Sequence, residues 1–519
     1  MSLTSTLIAD PTAGGPFNLT PLSRPSGSAL NSENYITKNG ALEMRPALSH
    51  ISTDAAVGIA PGGLHNKGIT PFFSNKSGHF TAFADRSWGW SLLQDGKFAS
   101  ITNAPGIPVS SAYDLYWDFA QIYSDIWDDN ILVGAPSSAD SVVAYRHGSS
   151  VASLNFLSLN SISGDALTFG AKCVASFDNY LLLGNIDQRS LGTPASMLKQ
   201  RIHWSDRGSA SSFTGGLSGF EDILAARGEI QRIVPLEDHL VVFFDDEIWR
   251  GTPVAFPFTF QFTPLDQSVG CPYRWTIART PAGVAFMARD FQTYVLPAQG
   301  GTKIPFGDAV RETLKSDATF PERWFACYDP NAEQYELFYA TSAGSYPRRG
   351  AFFSFPTNTW SFQSFPVRLS FGATSYDSGG QPLATLGAAT GAAYYLKSTA
   401  TSDGDDSVRT TRHAINAFWE TKPLGGDMPA VQKTVNLVRV DYDTPSASSL
   451  TVRTSPSQGV GFSTGVGLAL SPTSTVSQQP AYLRESSRYP VVRIEESSQS
   501  IVSRQRIHRL HIEMNTGGR

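Results

Sequence analysis

Between residues 78 and 397 the chain is broken by tight turns at a spacing that long helices do not tolerate. Short runs of β-branched and aromatic residues alternate with pairs or triplets of Asp, Asn, Gly and Pro. HFTAFADRSWGWSLLQDGKFASI holds three such runs, parted at Asp85-Arg86 and Asp95-Gly96. AQIYSDIWDDNILVGAPSSADSVVAY repeats the plan with a turn at Asp128-Asp129-Asn130, and AKCVASFDNYLLLGNI leads through a loop into RIHWSD. IQRIVPLEDHLVVFFDDEIWRG turns at Glu237-Asp238 and Asp245-Asp246, and the next unit turns at Pro281-Ala282-Gly283 and Arg289-Asp290. A further unit turns at Asp329-Pro330-Asn331 and Pro356-Thr357-Asn358, and a weaker one runs from Phe371 to Lys397. Successive units start roughly 30–50 residues apart, the interval of four-stranded propeller blades. Identity between units is poor, so the repeat is one of pattern. The expected fold is all-β, a β-propeller of six or seven blades, with a long β-sandwich as the architectural alternative.

Texture changes on either side of this region. Residues 1–33, rich in Pro, Gly, Ser and Thr, read as an extended N-terminal arm, and YITKNGALEMRPAL places Asn39-Gly40 between two strand-like runs, a hairpin signal. The propeller is therefore expected over 34–400, followed by a polar linker at 401–412, TSDGDDSVRTTR. Longer alternating runs, TVNLVRVDY, SLTVRTS, YPVVRIE and IHRLHIEM, then predict a C-terminal β-sandwich over 413–519.

Composition narrows the function classes. With 45 Gly and 32 Pro among 519 residues, turns dominate over helices, and 41% hydrophobic content excludes a disordered chain. A net charge of −5, from 40 basic and 45 acidic residues, argues against a dedicated nucleic-acid binder yet permits a conduit that lets DNA pass. Only 11 of the 40 basic residues are Lys, a skew that an interface-rich assembly subunit and a GC-rich genome both produce. Cys173, Cys271 and Cys327 lie far apart and suit a chain folded in a reducing cytoplasm. MSLTSTLIADPTAGG lacks the features of a signal peptide, and no apolar run reaches the ~18 residues of a membrane span.

The first hint of chemistry is RIHWSDRGSASSF, residues 201–213. Asp206 and Gly208 match two positions of the Asp box found in sialidases and related propellers, Ser-x-Asp-x-Gly-x-x-Trp. Trp204 and Ser211 occupy the positions of its Ser and its aromatic residue. The expectation is a tight turn closing a strand, with Trp204 packed in the blade and Phe213 opening the next loop. Ser455 to Phe462 has closer spacing but Ser457 in place of the Asp, and the Arg-Ile-Pro tripeptide of sialidases is absent from the sequence. His508 and His511, i and i+3 in a strand, are expected on opposite faces, a poor metal pair. Asp403-Gly404-Asp405-Asp406 lacks the spacing of a calcium loop and reads as solvated linker. Asp245-Asp246-Glu247 reads as turn chemistry. Trp88, Trp90, Trp117 and Trp127 read as blade core in preference to sugar platforms. No Cys–His cluster, P-loop or dinucleotide fingerprint occurs. Catalytic, cofactor-binding and metal-ligating residues are all expected to be none, and the chain is expected not to be an enzyme.

The order of the pieces is similar to a known family. A Ser/Pro-rich arm leads to NGALEMRPAL, then come RIHWSDRG, IVPLEDHLVVFFDDEIWR, FFSFPTNTWSF and a TK…VRVDY…LTVRTS…RIHRLHIEMNTGGR ending. This resembles the tail hub or nozzle proteins of short-tailed bacteriophages and related tail propellers, over most of the chain. Ala47 stands where a Gly commonly follows the Arg-Pro pair. The resemblance implies a structural virion protein without cofactor, made in the host cytoplasm and located in the virion tail. It implies a homo-oligomeric ring, commonly a hexamer, below the head-to-tail adaptor at the portal. Such a ring extends the DNA channel, retains the genome, and offers surfaces to tail fibres or spikes. Two other readings stand beside it: a glycan-binding or glycan-cleaving propeller acting in receptor binding, and a cellular propeller scaffold that binds peptides.

Overall fold

A computed structural model describes residues 3–9, 29–38, 41–51, 66–85, 90–94, 97–101, 116–124, 128–136, 143–146, 155–158, 167–190, 196–210, 212–213, 216–255, 258–341, 346–376, 380–397, 402–404, 412–424, 431–497 and 505–516. Among them, seven four-stranded antiparallel meanders follow one another along the chain. The first six span 66–101, 117–158, 167–222, 230–266, 278–305 and 325–364. The seventh takes three strands from 369–397 and its fourth from far upstream: Ala47–His50 pairs with Ala393–Lys397, Leu48 opposite Leu396.

The first strand of each meander faces a common axis. Asn66–Ser74 packs against Trp117–Ser124, which packs against Leu167–Phe177 and so to Ile230–Pro235, while Leu369–Tyr376 returns to Asn66–Ser74. The fourth and fifth units meet through Val234 and Ile277 in a shared apolar cluster. Residues of the first, second, fourth, sixth and seventh first strands, with residues at the start of the fifth, line one cavity. That convergence, with the upstream strand closing the circle, defines a β-propeller.

Blades cohere because their inward faces are aromatic and closely fitted. Trp90 and Trp117 are buried and meet edge to face, centroids 5.3 Å apart, a contact worth about 0.5–1.5 kcal/mol beyond area burial. Both sit in the blade core as expected, whereas Trp88 and Trp127 lie outside the described residues. Gly134 is obligatory in this packing, since a Cβ there would come within 2.4 Å of the Trp90 ring.

A second body packs two sheets over one core that includes Trp419, Val438, Leu450, Ile494 and Leu510. One sheet holds Arg506–Thr516, Lys433–Thr444 and Thr473–Ser487; the other holds Asn416–Thr421, Val491–Ser497, Ser448–Ser455 and Val466–Leu470. Upstream strands complete both sheets. Leu3–Ala9 pairs with Arg506–Thr516, and Ala29–Glu33 bridges Asn416–Thr421 to the last strand of the sixth blade. The hairpin Tyr35–Lys38 and Ala41–Met44 joins the first sheet, Leu42 opposite Ile507. The boundaries expected at 1–33 and 34–400 are therefore corrected. The parts of the arm at 3–9 and 29–33 are sheet strands, and residues 35–44 complete the second body before the chain enters the propeller. Strand pairing across more than 300 residues leaves no local signal in sequence. The turn at Asn39-Gly40 lies outside the described residues.

Arg45 fastens the two bodies. Its side chain and that of Asp403 are each 1% exposed. Its Nε donates to Asn34 Oδ1 (3.0 Å), Nη1 to Pro46 O (2.8 Å) and Asp403 Oδ1 (2.9 Å), and Nη2 to Ser364 O (2.7 Å) and Asp403 Oδ2. All five guanidinium protons are thereby used. Phe365 lies under the guanidinium at 4.3 Å, and Asp403 Oδ1 also accepts the Leu48 N–H (2.9 Å). Asn34, in the left-handed region (φ 62°), donates to Ser364 Oγ and Asn416 O. One ion pair thus joins the sixth blade, the closing strand of the seventh, and the second body. Asp403, expected as a solvated linker residue, is instead the buried counter-ion of Arg45, on a short strand Ser402–Gly404 paired with Arg412–Ala414. Asp405 and Asp406 lie outside the described residues.

Candidate functional site in the propeller channel

Two adjoining chambers occupy the axis, of about 160 Å³ and 390 Å³, and share Thr70, Asp118, Phe119, Arg232, Ile277 and Arg279. Apolar first strands form their walls, so the charged side chains among them stand out. Asp118, 3% exposed, enters from the second blade. Arg232 of the fourth blade places Nη2 3.3 Å from Asp118 Oδ1 and donates through Nη1 to Ile277 O (2.9 Å). Arg274, on the short helical turn before the fifth blade, reaches back to the third, donating to Lys172 O (2.6 Å) with Nη2 3.5 Å from Asp118 Oδ2. Its guanidinium lies 4.3 Å over Trp275, and burial holds its pKa below the ordinary guanidinium value. Lys172 turns to Glu229. The cluster joins four consecutive blades and concentrates positive charge around one carboxylate. Sequence reading missed it; the available signal was an Arg or Asp inside an otherwise apolar first strand, as in IQRIVP and YWDFAQI.

RIHWSDRG lies elsewhere, at the outer side of the third blade. Trp204 packs with Trp249 and Phe260 and donates from Nε1 to Leu217 O (3.0 Å). Asp206 Oδ1 accepts from Leu217 N (2.9 Å) and Arg207 N (3.0 Å), cinching the loop before the strand Gly219–Asp222. Gly208 takes φ 73°, and at Gly216 a Cβ would lie 2.4 Å from Asp206 Oδ2. Phe213 is buried between the second and third blades with Ile122 and Val133. The Asp-box-like stretch is thus a clasped turn. Asp206→Ala is expected to cost about 1–2 kcal/mol, the net contribution of exposed hydrogen bonds to a charged acceptor. Urea unfolding reads this as a lower midpoint at unchanged slope, and an unchanged midpoint would remove the clasp role.

The other sequence candidates separate. Ser455 Oγ accepts from Ser457 N and Gly459 N, a hydroxyl-capped turn. Asp245 accepts Glu229 N and Gln231 Nε2, Asp246 pairs with Arg289 of the next blade, and buried Glu247 accepts the Trp249 indole N–H. These side chains latch neighbouring segments as well as shaping a turn. His508 and His511 are corrected from opposite faces to one face. The register with Lys433–Thr444 slips between Asp441 and Tyr442, leaving His508 as an extra residue, and such a bulge reverses the alternation. Each histidine then meets its own carboxylate, His508 with Asp443 (2.7 Å) and His511 with Asp441 (2.8 Å). Among the described residues no group of three or more His, Cys, Asp or Glu is arranged to hold a metal, and no helix is long and apolar enough to cross a membrane. All three cysteines are buried and unpaired by disulfides, and burial pushes the Cys173 and Cys271 thiols up to about 12.

No family model matches the chain, and no curated protein matches it. Among solved structures it is similar to BBS1N in complex with ARL6DN, at 10% identity over 69% of this chain and 99% of that one, TM-score 0.40. It is similar to YCF48 bound to D1 peptide, at 9% identity over 70% and 96%, TM-score 0.38. The Neurospora crassa Pan2 WD40 domain gives 6% identity over 70% and 96%, TM-score 0.35. At these scores the propeller is read from strand pairing alone.

Proposed function

We propose that the chain is a structural virion protein, a tail hub or nozzle subunit of a bacteriophage. It assembles as a homo-oligomeric ring, a hexamer in the family it resembles, below the head-to-tail adaptor. The ring extends the path of the DNA, retains the genome, and offers its outer surfaces to fibres or spikes. It performs no reaction. One observation supports this reading above the others. Arg45, in the NGALEMRPAL stretch that carries the resemblance, is the residue that locks propeller and second body together. A part that transmits force between tail components needs its bodies joined rigidly, and a buried, fully bonded ion pair with continuous sheet across the junction does that.

Electron microscopy of the purified chain, and of virions from its source, tests the proposal. A ring with a central channel is expected, matching a layer of the tail. A strictly monomeric protein absent from virions overturns it, as does cleavage of a polysaccharide by the purified chain.

A further inference from the structure

The outer edge of the third blade differs from those of the blades that follow it. An outer strand leaves one row of N–H and C=O groups unpaired, and proteins commonly blunt such edges with a proline or a covering strand. In the fourth blade the outer strand Phe260–Asp266 carries Pro264, and in the fifth Ile304–Pro305 ends in proline. In the sixth, Thr359–Ser364 is met by Ala29–Glu33. Gly219–Asp222 of the third blade has neither device, and among the described residues it pairs only with Ser196–Trp204. Ile223 N donates to Gln200 O (3.1 Å), which puts Gly219, Glu221 and Ile223 in hydrogen-bonding register with that inner neighbour. Phe220 and Asp222 alternate with them, so their N–H groups and the Phe220 carbonyl point outward. The Asp222 carbonyl is taken by Leu224 N (2.9 Å).

The side chains at this edge say what kind of strand fits it. Of the eleven large hydrophobic residues exposed among the described ones, four cluster here: Leu217, Phe220, Leu224 and, on the adjoining loop of the fourth blade, Phe258. Thr259 Oγ1 donates to Leu217 O (3.0 Å), which holds that loop against the third blade. Phe220 is 55% and Leu224 78% exposed, and clustered apolar exposure marks an interaction surface. Beyond Asp222 the edge opens on a cavity of about 540 Å³ with Leu198 and Leu224 in its wall. Glu221, on the opposite face from Phe220, makes no ion pair or hydrogen bond among the described residues. The nearest cations on the neighbouring strand are committed elsewhere, Arg201 to Asp222 through two bonds of 2.7 Å and Lys199 to Glu229 (3.4 Å). Partial burial raises the Glu221 pKa, and no cation offsets the rise. We propose that the outer edge of the third blade receives an extended segment of a partner protein as a fifth strand, one that alternates apolar residues with lysine or arginine. Its backbone pairs with the outward groups of Phe220 and Asp222. Its apolar side chains lie beside Phe220 and enter the cavity at Leu224, while its cation sits on the other face beside Glu221. The site belongs to one blade, so it stands whether or not the virion reading does.

Fluorescence anisotropy of the labelled peptide Thr-Val-Lys-Val-Lys-Val-Thr, titrated with the full chain, tests it. Saturable binding is expected, whereas Thr-Ser-Lys-Ser-Lys-Ser-Thr, equal in charge but without apolar side chains, is expected not to bind. Glu221→Lys, a substitution on the exposed edge, is expected to weaken the valine–lysine peptide about fivefold or more while leaving the melting temperature unchanged. Bound peptide is expected to slow hydrogen exchange at the Phe220 and Asp222 amides and to leave those of Glu221 and Ile223, already paired inward, as they were. Absence of saturable binding overturns the site, and so does equal affinity for the parent and Glu221→Lys, or exchange at Phe220 and Asp222 that the peptide does not slow. A ring that forms from the parent chain but not from Glu221→Lys gives this edge to a second copy and overturns the partner segment.

Discussion

Arg45→Ala is expected to destabilise the protein by about 3–5 kcal/mol, the cost of breaking a buried ion pair from one side. The substitution leaves Asp403 at 1% exposure without its cation, Ser364 O loses the Arg45 donor, and Asn34 Oδ1 keeps only the Ser364 N–H of its two donors. The loss is not confined to one element, because Asp403 also accepts Leu48 N on the strand that closes the seventh blade. Denaturant unfolding followed by tryptophan fluorescence should show an earlier transition. Limited proteolysis should cut near residues 45–50 and 402–404. Desolvation explains why the two partners should be far from additive. Once Arg45 is gone, a buried Asp403 carboxylate is a liability, so Asp403→Asn added to Arg45→Ala should recover part of the loss. Retention of parental stability by Arg45→Ala, or full additivity in the double variant, would remove the junction role.

That junction also marks where sequence reading stops. Blades were legible because each needs only local information: β-branched and aromatic runs of strand length and turn residues between them. Asp206 was legible as a turn residue for the same reason, since all its acceptor bonds fall within eleven residues. Asp403 was not. In TSDGDDSVRTTR it is one acidic residue in a polar run, and only its partner 358 positions upstream makes it a core residue. Ala47–His50 likewise reads as a generic short strand, and nothing local assigns it to a sheet begun more than 300 residues later. His508 and His511 failed differently. Strict alternation was the right rule, but one unpaired residue in the register shifts its phase, and bulges carry little sequence signal. The channel cluster was hidden because Asp118, Arg232 and Arg274 each sit singly in a different blade, and closure of the circle alone brings them together.

Acid is expected to weaken the third blade through His203. This residue is 8% exposed on the strand Ser196–Trp204, edge-on to Phe213 at 5.2 Å and Phe220 at 5.8 Å. Burial pushes its pKa down from 6.5 to about 4. A hydrogen bond between Nε2 and Phe213 O (3.3 Å) opposes the shift, and the nearby Arg201 adds to it. The neutral ring is the folded form, so Nε2–H donates to that carbonyl. Because the folded pKa lies below the unfolded one, the unfolded chain binds the extra proton first. Stability is therefore complete above pH 6.5 and is lost as pH falls towards 4. At about 1.4 kcal/mol per pKa unit, the full loss is roughly 3 kcal/mol. Carboxylates elsewhere titrate over part of the same range, and a variant separates them from His203. In His203→Leu an apolar side chain of similar reach keeps the packing against Phe213 and Phe220 but has no proton to gain. Urea midpoints should fall further between pH 7 and pH 4 for the parent than for His203→Leu. Parallel pH profiles would mean that protonation of His203 does not weaken the fold, and that the ring finds water or an acidic partner when charged.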